Sequence, residues 1–98
     1  MEWKFCGEAI EWRGPAPFVF VPTPAEVAAE LSVAARHASY GWGCLPVIVQ
    51  IGETEFRTSL IPRNGTYFVP IKLAVQRSES VRIGQPVGLT VRLAPPRG

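Results

Sequence analysis

This sequence predicts an all-β fold: a small, mostly antiparallel β-barrel of six to seven strands carrying one α-helix. Three observations point there. Ten prolines and nine glycines are spread between apolar runs, which suits short strands joined by many turns. Several runs alternate apolar and polar residues, most cleanly Val87, Leu89, Val91 and Leu93 against Gly88, Thr90 and Arg92. A single stretch, 24–36, repeats at helical spacing instead. A sheet of six or seven strands left open has two unpaired edges, and closure into a barrel removes them.

Taken in order, residues 2–13 read as a long first strand. Trp3 and Phe5 share one phase and Ile10 and Trp12 the other, so a bulge is expected between them, with Gly7 its natural place. Gly14-Pro15-Ala16-Pro17 then breaks the pairing, because proline offers no ladder N–H. Phe18 to Val21 is a short apolar strand. Thr23-Pro24-Ala25-Glu26 is a helix start, with Thr23 as cap, Pro24 in the first position and Glu26 completing a capping box. Val27, Ala28, Leu31, Ala34, Ala35 and Ala38 form the stripe that packs this helix, about 24–36, on the sheet.

A loop follows over 37–46. Val47 to Ile51 is nearly all apolar and reads as a central strand. Gly52-Glu53 turns the chain. Phe56, Thr58 and Leu60 then alternate with Glu55, Arg57 and Ser59. Asn64-Gly65 is a hairpin signal, since both residues tolerate positive φ, and Thr66 to Ile71 returns as the partner strand. Lys72 to Ser80 is a short connection of one or two helical turns. Gly84-Gln85 leads into the last strand, and Pro95 to Gly98 is a frayed end.

Ninety-eight residues, 47% of them hydrophobic and 18% charged, are enough for one domain, 1–98, with a real core. The start of the chain lacks a basic segment followed by an apolar one, and no apolar run approaches about eighteen residues, so a cytoplasmic location and no membrane partner are expected. Cys6 and Cys44 are expected to be two small core residues without a disulfide. The net charge of +2 hides an asymmetry. Of the eight residues charged at neutral pH in 57–98, only Glu79 is acidic. Such a split can mark a partner-binding face; equally, opposite charges of the two halves can meet across strands.

No nucleophile elbow, phosphate-cradling loop or zinc-protease motif is present, and no catalytic residue is assigned. His37, the one histidine, falls at the helix C-terminus, where a cation or donor is favoured. Cys6, His37 and Cys44 lack the paired spacing of a zinc site, and neither a metal nor a cofactor is expected. Glu8 and Glu11 do not share a strand face, which argues against a carboxylate pair. The aromatic loops remain. Trp12 and Phe18 flank the rigid Gly-Pro-Ala-Pro turn, and Tyr40 and Trp42 sit between glycines. As core plugs they would close the barrel ends. As a site, Trp12, Arg13, Phe18, Tyr40, Trp42 and Arg57 would bind a ligand, with an arginine on its anionic group. If Phe56 and Leu60 fill the barrel, Arg57 is outside it and the site is an external groove; if they face the helix, Arg57 points inward and needs a buried anion or a carboxylate partner, with Glu8 and Glu11 the nearest candidates by composition.

The functional expectation is a non-catalytic binding or interaction module for a small molecule or a protein, working as monomer or homodimer. The alternative is a small β-barrel that binds nucleic acid through its basic C-terminal half, which the modest charge does not favour.

Several segments together carry a family resemblance. They are Trp3-x-Phe5-x-Gly7, Trp12-Arg13-Gly14-Pro15-Ala16-Pro17-Phe18, Tyr40-Gly41-Trp42-Gly43, Thr58-Ser59-Leu60-Ile61-Pro62-Arg63-Asn64-Gly65-x-Tyr67, Pro70-Ile71-Lys72 and Val75. In this order and spacing the chain resembles the bacterial and archaeal family called domain of unknown function 1905, over almost its whole length. The resemblance implies a small barrel with one helix. Some members are fused to a second domain of the bacteriocin-protection, YdeI/OmpD-associated type. Gln76-Arg77 stands where members often have Arg-Lys, and Gly84-Gln85-Pro86 where they often have Gly-Asp. The family brings no established activity with it.

Overall fold

In the computed structural model the chain is described over residues 2–15, 18–37 and 45–95, the side chain of His37 excepted. Seven strands and two helices follow in the order β1 (Glu2–Glu8), β2 (Ile10–Trp12), β3 (Phe18–Pro22), α1 (Ala25–His37), β4 (Leu45–Ile51), β5 (Thr54–Arg63), β6 (Thr66–Ile71), α2 (Leu73–Ser78) and β7 (Pro86–Leu93). The strands make one curled sheet in the order β1-β7-β4-β5-β6-β3-β2, with every pairing antiparallel.

The two ends of that order are consecutive pieces of one segment. β1 pairs with β7, from Glu2↔Arg92 to Glu8↔Pro86, and β2 pairs with β3, from Ile10↔Phe20 to Trp12↔Phe18. Ala9 lies between them and is fully buried. Its N–H donates to the Gln85 carbonyl at 3.1 Å, and its own carbonyl accepts from the Gly84 N–H at 2.8 Å. The first strand therefore changes partners at Ala9, two residues beyond the expected bulge at Gly7. Gly7 has a different task. A Cβ there would lie 2.5 Å from Val21 Cγ1 and 3.0 Å from the Pro22 carbonyl oxygen, so its missing side chain lets β1 close against β3.

Alternation fills the interior. Val47 and Val49 of the central β4, Phe56 and Leu60 of β5, Val69 and Ile71 of β6, and Leu89 and Val91 of β7 are all buried in one core. Val27, Ala28 and Leu31 of α1 join it, with Ala34 and Ala35 packed at its margin. The helix stripe read from the sequence is thus the packed face; Ala38 lies outside the described residues. The capping box does not form as expected. The first helical bond runs from the Ala28 N–H to the Pro24 carbonyl at 2.9 Å, which makes Pro24 the cap. The Thr23 hydroxyl instead accepts from the Tyr67 N–H at 3.2 Å, and the Thr23 N–H donates to the Tyr67 carbonyl at 2.9 Å. The start of α1 is thereby tied to β6.

The Asn64-Gly65 hairpin is present, with φ of 50° and 79°, as a two-residue turn of mirror-image type requires. The connection over Lys72–Ser80 contains α2, a second short helix that buries Val75. No helix among the described residues is long and apolar enough to cross a membrane. Cys6 corrects one expectation: it is a free, exposed thiol, because it occupies an outward position of β1, opposite Gly88. Cys44 lies outside the described residues.

Candidate functional site

Phe56 and Leu60 face the core, which puts Arg57 on the outside. Any site built from these strands is therefore external, and the outer face of β2, β3 and β6 is where the aromatic residues gather. On β3, Val19 and Val21 point into the core, so Phe18 and Phe20 point out. On β6, Tyr67, Val69 and Ile71 point in, so Phe68 and Pro70 point out. The register of β2 sets Trp12 beside Phe18 and Ile10 beside Phe20.

The rings form a continuous row. Trp12 and Phe18 have centroids 6.4 Å apart at 30°, and Phe18 and Phe20 are 5.6 Å apart at 46°. Phe20 stacks on Phe68 at 4.0 Å and 18°. These spacings are those of favourable aromatic pairs. Phe20 is only 5% exposed although it lies on the face away from the main core. Trp12 and Ile10 are each 37% exposed. Half of the row is thus a small second core, and Trp12 with Phe18 is its open end.

A cation completes it. The guanidinium carbon of Arg63 lies 4.7 Å from the centroid of the Trp12 ring, within cation–π range. Arg63 ends β5 beside the hairpin tip and occupies an outward position opposite Thr66. Arg63 is the one cation in the outward phase of β2, β3, β5 from Ile61 to Arg63, and β6; the nearby carboxylate of Glu11 is paired with Arg13. Next to Phe18 the face runs into an open cleft of about 450 Å³, lined by Glu11, Pro70, Lys72, Leu73 and Gln76 among others. Leu73 is 59% exposed there.

The structure sorts the residues expected from sequence. Trp12 and Phe18 come together. Arg13 does not join them: it alternates with Trp12 along the chain and pairs with Glu11 at 3.3 Å. Arg57 does not either. It sits opposite Ile48 and donates through Nη2 to the Pro95 carbonyl at 3.3 Å. Six residues of strand separate it from Arg63, roughly 20 Å. Tyr40 and Trp42 lie outside the described residues. Phe20, Phe68 and Arg63 are additions. The phase shared by Phe18 and Phe20, and the outward phase of Phe68 between Tyr67 and Val69, were the signals that could have found the two rings.

Two other clusters lie apart from this row. Thr54 Oγ1 donates to Glu79 Oε2 at 2.6 Å, and the Glu79 carboxylate lies where a side chain on Gly52 would be. This contact ties the β4–β5 turn to the end of α2. A broader hollow of about 640 Å³ lies over β1, β7 and β4, with Lys4, Cys6, Gln50 and Gly88 in its lining. Among the described residues no three His, Cys, Asp or Glu side chains converge as a metal site would need.

Comparison with known proteins assigns the chain to a family. None of the curated proteins matches this chain. A family model does: the one described as domain of unknown function (DUF1905) aligns with residues 5–91, from Phe5 in β1 to Val91 in β7, and the chain belongs to that family.

Proposed function

We propose that this protein is a non-catalytic binding or interaction module, and that its ligand rests on the outer aromatic face. The observation that carries the reading is the half-open pair Trp12–Phe18 with Arg63 over the indole. Rings offer flat apolar contact with little rotamer freedom to lose, and a guanidinium adds an anion-binding fork.

An NMR screen of flat aromatic fragments, with and without a carboxylate, tests the site. Shifts should cluster at the Trp12 indole, Phe18, Phe68 and Arg63, and Trp12→Ala should abolish them. Hits confined to the hollow around Cys6 and Gly88, or to the strand around Arg92, would refute the assignment.

A further inference from the structure

We infer that the ligand class of this face is single-stranded nucleic acid. The inference rests on the reading of the outer aromatic row as a binding face and adds to it the distribution of charge around that row.

A nucleic-acid single strand presents flat bases and a regularly spaced anionic backbone. The Trp12–Phe18 pair supplies two neighbouring ring surfaces at the open end of the row, and base stacking on aromatic side chains is the general mode for unpaired strands. The cations flank it. Arg63 lies over Trp12, and Lys72 lines the cleft that begins at Phe18. Among the described residues the ion pairs are Arg13–Glu11 and Arg92–Glu55, so neither Arg63 nor Lys72 has a carboxylate within 4.0 Å. One carboxylate, Glu11, also lines that cleft, and its charge is engaged by Arg13 at 3.3 Å. The ring order and the charge order therefore coincide: cation, indole, phenyl, cation. A duplex would not fit this arrangement, because its bases are stacked within the helix and their faces are closed to side chains.

Fluorescence anisotropy with labelled dT12 and rU12, at several salt concentrations, tests the inference. Two cations facing phosphates predict a slope of log K against log salt of about −1.4, and Arg63→Gln should bring it to about −0.7. Trp12→Ala or Phe18→Ala should weaken binding roughly 5- to 100-fold, the loss of one stacked base. Arg57→Gln, about 20 Å along β5 from Arg63, should leave affinity and slope unchanged. A preference for one of the two probes tells RNA from DNA; either result supports a single strand. Three outcomes would overturn the inference: no binding of either oligonucleotide at 100 mM salt, binding indifferent to Trp12 and Phe18, or a mononucleotide binding as tightly as the 12-mer. In each case fragment shifts retained at Trp12 would keep the binding face and discard only the nucleic acid, whereas loss of both would discard the face as well. Circular dichroism of each variant separates a lost contact from a lost fold, and Arg63→Gln, on an exposed hairpin end, keeps the salt test independent of the ring substitutions.

Discussion

Gly7→Ala probes how the sheet closes on itself. The added methyl would stand 2.5 Å from Val21 Cγ1 and 3.0 Å from the Pro22 carbonyl oxygen. Val21 is fully buried and cannot swing aside, since a β-branched side chain is stiff at χ1. Pro22 offers backbone, which moves only if β3 moves. Relief requires β1 to back away from β3, opening the seam between the two ends of the sheet. Overpacking of this kind costs about 1–3 kcal/mol. Alanine recovers part of that, roughly 0.4–1 kcal/mol, by narrowing the unfolded ensemble. The net expectation is a loss of about 1–2 kcal/mol, or roughly 5–15 °C in Tm for a chain this size. Gly88→Ala is the matched control. Its methyl would meet only Cys6 Sγ at 3.7 Å, an ordinary contact, so its melting point should hold or rise. Thermal melts followed by circular dichroism, with urea titrations for the free energies, make the comparison. Gly7→Ala melting at or above the temperature of Gly88→Ala would refute the packed seam.

Leu31→Ala should cost about 2–5 kcal/mol, because Leu31 is fully buried where α1 meets the sheet; an unchanged urea midpoint would remove the helix from the core. A double-mutant cycle of Trp12→Ala and Arg63→Gln should give a coupling of about 0.5–1 kcal/mol, the worth of an exposed cation–π contact, and strict additivity would dissolve the pair. Ser80 holds a φ of 53° at the turn after α2, so Ser80→Gly should stabilise by about 1 kcal/mol, and a destabilised variant would show that its side chain matters more than its backbone.

The elements that carry their own local signal were legible in the sequence. Asn64-Gly65 specified its turn by backbone chemistry alone, the Val27/Ala28/Leu31 stripe specified a helix and its packed face, and the alternation through Val87–Leu93 specified the last strand. What escaped depends on contacts distant along the chain. Ala9 continues the inward phase of Trp3 and Phe5, but a small apolar residue in a mixed run does not announce that the strand changes partners there. Ile10 and Trp12 look like core residues by type, and only the register with Phe20 and Phe18 puts them outside. The candidate site was half legible for the same reason. Trp12 and Phe18 are joined by a short turn, whereas Arg63 reaches Trp12 across about fifty residues of sequence. Arg57 and Arg13 were plausible by charge and excluded by strand position.

The placement of β7 bears on the order in which the molecule can be assembled. A ribosome delivers β1 through β6 before it delivers β7, yet β7 lies between β1 and β4. Until then the nascent chain can form the β4–β5–β6–β3–β2 run, while one side of β4 and the pairing side of β1 stay open. Both carry apolar residues and free backbone donors and acceptors, the combination that recruits foreign strands. Premature termination before Pro86 should therefore yield aggregating chains rather than smaller folded ones, and β7 should act as the keystone whose late arrival makes the rest of the sheet soluble.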